Sequence, residues 1–125
     1  MDIYRDIILD HYKNPRNFGT LDGHNAAAEE FNATCGDRIR MEIRISGTGE
    51  GATVSDIRFS GVGCAISQAA ASMLTERAKG MKVRELLTLK GNYMLDMLDT
   101  RLTPSRVKCA TLPLEVIQKA AGISP

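Results

Sequence analysis

The sequence is poor in several features, and each scarcity excludes a class of protein. It has no tryptophan, only three cysteines and four prolines in 125 residues, and a formal net charge of +1. An odd number of cysteines cannot form a closed disulfide set. The near-zero charge argues against nucleic acid or an anionic membrane surface as a partner. No apolar run approaches the roughly 18 residues of a membrane span.

The composition that remains is typical of an ordinary globular protein. The chain is 43% hydrophobic and 25% charged, and its length predicts a single domain over residues 1–125. Its N-terminal stretch MDIYRDIILDHYK carries too many charges for a signal peptide. We therefore expect a cytoplasmic location.

Hydrophobic periodicity predicts an α+β fold. Helical spacing marks residues 2–13, and the helix is expected to stop before Pro15. Residues 37–45 alternate apolar and charged, SGTGEG follows as a hairpin connection, and 53–60 and 26–31 complete a three-stranded antiparallel sheet. The later segments predict helices at 66–79, 83–89, 93–98 and 111–121, with Pro113 in the first turn of the last. Strands followed by helices indicate helices packed on one sheet face, with an N-terminal helix and a long C-terminal helix.

Chemistry-bearing residues occur where one predicted element meets the next. Cys35 and Asp37 stand two positions apart at the mouth of a strand, so on an extended chain they point to the same side. Cys64 opens a helix, where the helix N-terminus favours a thiolate. Cys109 is predicted to stand just before the last helix, and the adjacent Lys108 supports the thiolate form of Cys109.

The spacing alone leaves the role of these residues open. A single cysteine is more often a small buried apolar residue than a ligand. The gaps between the cysteines are too long for a zinc-finger knuckle, so a shared site has to be assembled by the fold. Three thiolates and one carboxylate would suit tetrahedral Zn²⁺ or the iron of a [2Fe–2S] cluster.

Other polar side chains receive ordinary structural interpretations. His24 is predicted to be solvated in a loop, and His11 to be a cation at a helix end or a residue facing a partner. The stripe of Arg38, Arg40 and Arg44 is predicted to be a solvated sheet face. Gly61 and Gly63 superficially suggest a nucleotide loop, but no Gly-Lys-Ser/Thr follows them.

Four stretches together resemble a known family. NPRNFG, CGD, FSGVGCAISQAAASMLTE and RVKCATL are similar to the IscU/SufU/NifU N-terminal family of iron–sulfur cluster scaffold proteins, in order and over nearly the whole chain. The resemblance implies a metal and cluster site formed by Cys35, Asp37, Cys64 and Cys109. It also implies a scaffold, and not an enzyme, that binds iron and assembles a [2Fe–2S] cluster.

The resemblance further implies partners and roles. Sulfur would come from a cysteine desulfurase to Cys109, on a loop expected to be mobile, with Lys108 as its thiolate support. The cluster would pass to recipient iron–sulfur apoproteins, and Asp37 would keep the site reversible. A homo-oligomer in which another subunit supplies a ligand is left open.

The sequence departs from the IscU branch of the family in one feature and from the SufU branch in another. The stretch LTPSRVKC has Lys108 where IscU-type members have a histidine, which resembles SufU. Its LTPSR in place of the LPPVK of IscU-type members weakens the case for a dedicated Hsp70 chaperone. The chain also lacks the insertion of SufU-type members between the second and third cysteines. The alternatives are therefore a SufU-like zinc-dependent sulfurtransferase, working with a cysteine desulfurase, and an interaction module with structural zinc. A redox thiol protein is disfavoured, because no C-x-x-C pair is present.

Overall fold

A computed structural model describes residues 6–33 and 36–123 of the chain. Its helices and strands follow the predicted order, and the α+β class is confirmed. A 3₁₀ turn over Gly49–Gly51 connects the second and third strands. The elements are α1 (Asp6–Lys13), β1 (Ala26–Asn32), β2 (Asp37–Ser46), β3 (Thr53–Val62), α2 (Ala65–Ala78), α3 (Val83–Thr88), α4 (Gly91–Leu98) and α5 (Pro104–Ile123).

The three strands form an antiparallel sheet in the order β1-β2-β3, as predicted. Phe31 of β1 lies opposite Arg38 of β2, which lies opposite Val62 of β3. The end of β1, the start of β2 and the end of β3 therefore lie side by side, at the same end of the sheet. The structure confirms that the apolar residues of β2 face the core, because Ile39 and Met41 are fully buried.

The helices pack on one face of the sheet. The long helix α5 lies against β1 and β2, α2 lies mainly against β3, and α1 packs against α2. Helix α2 is buried around most of its circumference, including the polar side chains of Ser67, Ser72 and Thr75. The short side chains on α2 let the sheet, α1 and α5 pack closely against it. Helix α2 is therefore fixed by contacts with all three.

The prediction for the last helix was wrong at its start. Helix α5 begins at Pro104, where a missing N–H is harmless, and Pro113 lies inside it. The carbonyl of Thr103 accepts the N–H groups of Arg106 and Val107 at 2.9 and 3.0 Å, which closes the first turn. Cys109 is therefore inside a helix, neither before one nor on a loop.

His11 also differs from its prediction. The structure buries it between α1 and α2, where its Nδ1 lies 2.7 Å from Ser72 Oγ. Ser72 Oγ also accepts the backbone N–H of Arg16 at 2.8 Å, so this hydroxyl connects α2 to the segment that follows α1. Burial lowers the pKa of His11 below its ordinary value. His11 is therefore a neutral interior residue, while His24 is exposed as predicted.

The outer sheet face is less solvated than its sequence suggested. Arg38 is exposed, but Arg40 and Arg44 are half-buried and Glu42 between them is buried. The carboxylate of Glu42 accepts the backbone N–H of Leu21 at 2.8 Å and the Nε–H of Arg40 at 2.9 Å. Because these contacts favour the charged form, they hold the pKa of Glu42 below its ordinary value. The loop before β1 thus covers part of a face predicted to be wet.

Candidate metal centre

Asp37 connects the sheet to the start of helix α2. It is the first residue of β2, lies opposite Asn32, and is 1% exposed. Its Oδ1 accepts the backbone N–H of Cys64 at 2.9 Å. A carboxylate at a helix N-terminus satisfies one of the unpaired N–H groups and is favoured by the helix dipole. The sheet therefore supplies the cap that the residues of α2 do not.

Cys64 occupies the N-cap position of α2. Its backbone is extended (φ −73°, ψ 167°), and its own side chain makes no capping hydrogen bond. The side chain is half-buried, and Sγ lies 4.0 Å from Asp37 Oδ2 and 4.0 Å from Ser67 Oγ. The sulfur therefore lies near the Asp37 oxygen that does not cap the helix.

Two glycines at the end of β3 allow these groups to come together. A Cβ on Gly63 would overlap Asp37 Oδ1 and would lie 2.7 Å from Ser67 Oγ. A Cβ on Gly61 would overlap the backbone carbonyl of Arg38. The Gly61-Val62-Gly63 run is therefore required for close approach of β3 to β2 and of Asp37 to α2.

Cys109 approaches from the opposite side on α5. Its side chain is fully buried, and Sγ lies 3.7 Å from the carbonyl oxygen of Ser105, one turn earlier. Helix α5 packs against β1 and β2, and its second turn carries Cys109 close to Asp37 at the start of β2. One ligand atom from each of Asp37, Cys64 and Cys109 lies within 4.8 Å of the other two.

This spacing fits a four-coordinate metal ion. Sulfur ligands at about 2.3 Å in a tetrahedron are about 3.8 Å apart, so small side-chain movements would close the three groups on one ion. Two thiols and a carboxylate are also ligand types that zinc and iron accept. A fourth ligand is needed to complete the tetrahedron. The donor set thus fits the expected metal, with one position to be filled.

The structure brings together three of the four predicted ligands, Asp37, Cys64 and Cys109. Cys35 lies outside the described residues. The exposed Lys108 lines a cleft of about 310 Å³ that also includes Phe31, Thr111 and Glu115. The prediction that Cys109 precedes a helix was wrong, as described above.

Ser67, which is fully buried beside Cys64, was not among the predicted site residues. A serine three residues after a helix N-cap occupies a position where side chains commonly reach back to the cap. That spacing is the signal that would have singled it out.

Known proteins resemble this chain over nearly its whole length. It is 37% identical to the zinc-dependent sulfurtransferase SufU of Bacillus subtilis, over 96% of this chain and 90% of that protein. It is 34% identical to the iron–sulfur cluster assembly scaffold protein IscU of Aquifex aeolicus, over 94% and 73%. The SufU match runs over 137 aligned positions, more than the 125 residues of this chain, so SufU has residues without a counterpart here.

Solved structures agree with the fold. A protein from Fervidobacterium Islandicum AW-1, described as an iron–sulfur cluster assembly scaffold protein for the SUF system, superposes with a TM-score of 0.77. The two chains are 26% identical, over 95% of this chain and 96% of that one. Within residues 6–33 and 36–123, no helix is both long and apolar enough to cross a membrane. The model of the NifU-like N terminal domain matches residues 3–123, and the chain belongs to that family.

Proposed function

We propose that this chain is an iron–sulfur cluster assembly scaffold, which accepts sulfur, binds iron and holds a [2Fe–2S] cluster as cargo until a recipient apoprotein takes it. The observation that carries the proposal is the convergence of Asp37, Cys64 and Cys109 within 4.8 Å. Relatives named as scaffolds, such as IscU of Aquifex aeolicus, support it. Cys35, two residues before Asp37 in the sequence, is the proposed fourth ligand.

The mixed donor set suits temporary binding. Thiolates bind iron strongly, whereas a carboxylate is a harder ligand that suits a soft cluster less well. Asp37 already shares its Oδ1 with the backbone N–H of Cys64, so the second oxygen is the one directed at the site. A site with one oxygen ligand among three sulfurs is filled and emptied more readily than a site with four thiolates.

Cys109 is the proposed sulfur acceptor, with Lys108 supporting its thiolate form. Its sulfur would attack the outer sulfur of a persulfide on a cysteine desulfurase, forming a new S–S bond while the donor's S–S bond breaks and the donor thiolate leaves. Reducing each transferred sulfur to sulfide takes two electrons, which an electron-donor protein has to supply. Because Cys109 is fully buried, the first turns of α5 have to move away from the sheet before a donor reaches it.

A second candidate function is zinc-dependent sulfur transfer. The 37% identity to the zinc-dependent sulfurtransferase SufU favours it, as does Lys108 in place of a histidine. In that case the same four residues hold zinc as a resident metal. Zinc would keep the acceptor sulfur in its thiolate form. The protein then acts in sulfur transfer from a desulfurase and assembles no cluster.

Anaerobic reconstitution with iron, cysteine and a cysteine desulfurase distinguishes the two. For a scaffold we expect a visible sulfide-to-iron absorption band and about two irons per site, both lost in Cys35→Ser and Cys64→Ser. Ser46→Ala, at the far end of β2, is the matched control and should retain the band. Tight zinc without a chromophore, together with faster desulfurase turnover, would instead establish the sulfurtransferase.

A further inference from the structure

The hydroxyl of Ser67 is placed to control the sulfur of Cys64. Ser67 is the third residue of α2, its side chain is fully buried, and Oγ lies 4.0 Å from Cys64 Sγ. That distance is at the outer limit of a hydrogen bond to sulfur. Burial excludes competing water, so the partners of this hydroxyl are limited to the protein atoms around it.

In the present structure the hydroxyl donates to the carbonyl oxygen of Cys64 at 3.1 Å. The same carbonyl accepts the backbone N–H of Gln68 at 3.2 Å, as part of the helix. The carbonyl therefore keeps a donor if the hydroxyl turns away. Rotation toward the sulfur leaves no buried acceptor unsatisfied, so little opposes it.

Metal binding would decide which way the hydroxyl turns. A thiol can donate its proton, but a thiolate ligand is an acceptor only. The backbone N–H of Cys64 is already taken by Asp37 Oδ1 at 2.9 Å. Among the residues that the structure describes, Ser67 is then a neighbouring side chain with a proton to offer the sulfur.

We propose that Ser67 is a positioning residue of the metal centre, whose hydroxyl donates a hydrogen bond to the metal-bound sulfur of Cys64. The inference rests on the proposed metal-binding function and adds a residue to it. The hydrogen bond fixes the direction of the sulfur and draws electron density away from it. Outer partners of this kind change metal affinity by 10- to 100-fold in other sites.

The test uses Co²⁺ as a spectroscopic probe and Zn²⁺ in competition with a chelating dye. In Ser67→Ala we expect Zn²⁺ affinity to fall by about tenfold. The sulfur-to-cobalt absorption band should move to lower energy, because the sulfur has lost a hydrogen bond. Ser67→Thr retains the hydroxyl, so its cobalt band should lie at the wild-type energy.

Ser72→Ala is the matched control. Ser72 is equally buried on the same helix, but it bonds His11 and the backbone of Arg16, away from the sulfur. This variant should lower thermal stability and leave the cobalt band and the zinc affinity unchanged. A purely structural role for Ser67 would make the two serine variants behave alike, and that result would overturn the proposal.

The outcomes separate the inference from the function on which it rests. If the wild-type chain binds Co²⁺ with a sulfur band and Ser67→Ala is indistinguishable from it, the role of Ser67 is refuted and the metal centre stands. If the wild-type chain shows no sulfur band, the metal centre and the role of Ser67 fail together.

Discussion

Replacing Gly63 with alanine should disrupt the proposed metal centre and destabilise the fold around it. The added Cβ would overlap Asp37 Oδ1 and lie 2.7 Å from Ser67 Oγ and 2.9 Å from Asp37 Cγ. Relieving these contacts requires the carboxylate to retreat by about 1 Å, because non-bonded carbon contacts are optimal at about 3.5 Å or more. The 2.9 Å hydrogen bond from Cys64 N–H to Asp37 would then be lost.

The size of the effect follows from two costs. Overpacking a rigid interior costs about 1–3 kcal/mol, and leaving a buried N–H or carboxylate without its partner costs about 1–3 kcal/mol. The free energy of unfolding of the metal-free protein should therefore fall by about 2–6 kcal/mol, measured by urea denaturation. Zn²⁺ affinity should fall as well, because Asp37 and Cys64 are displaced from each other.

Two other glycines are matched controls. Gly80 has a positive φ of 89° but open space around a Cβ, so Gly80→Ala tests backbone strain alone, at about 1–2 kcal/mol. Gly51 has no positive φ, and a Cβ added there would have no atom within 4 Å. Gly51→Ala should therefore leave the free energy of unfolding nearly unchanged. If Gly63→Ala loses no more stability than Gly80→Ala and binds zinc as the wild type does, the steric reasoning is refuted.

Three further predictions address the site, the buried histidine and the core. Asp37→Ala should give a more persistent cluster and slower transfer to an apoprotein; transfer at the wild-type rate removes Asp37 from the mechanism. The pKa of His11 is lowered in the folded protein, which therefore binds fewer protons than the unfolded chain, so stability should fall as the pH drops below the ordinary histidine value of 6.5. Urea midpoints at pH 7.5 and 5.5 should show a smaller fall in His11→Gln, and an equal fall would contradict the assignment. Leu74→Ala, at a fully buried position of α2, should cost about 2–5 kcal/mol in urea denaturation while leaving zinc affinity unchanged in the folded state; a loss under 1 kcal/mol would contradict the packing.

The sequence alone determined the elements whose patterns are local. The alternation of Ile39, Met41 and Ile43 with charged residues identified β2, and the family motifs identified the candidate ligands, because both signals lie within a few neighbouring residues. Helices α2, α3 and α4 and all three strands fell within two residues of their predicted bounds, and α1 ends at Lys13 as predicted. The start of α5 was missed because Pro104 and Pro113 both satisfy the rule for a first-turn proline, and only packing decides between them.

The environment of each polar side chain was decided by tertiary structure. His11 lies at a helix end in the sequence, yet α2 covers it, and its Nδ1 lies 2.7 Å from Ser72 Oγ. Glu42 occupies an outward position of β2, yet the loop that contains Leu21 buries it. Neither contact has a local signal, because the partners are distant in the sequence.

The same distinction applies to the metal centre. The sequence supplied Asp37, Cys64 and Cys109 as separate residues with favourable neighbours, and no spacing rule joined them. Antiparallel pairing of β2 with β3 brought Asp37 beside Cys64, and the packing of α5 across the sheet added Cys109. Residue type determined the chemistry that each group offers, whereas the convergence of three groups within 4.8 Å required the folded chain.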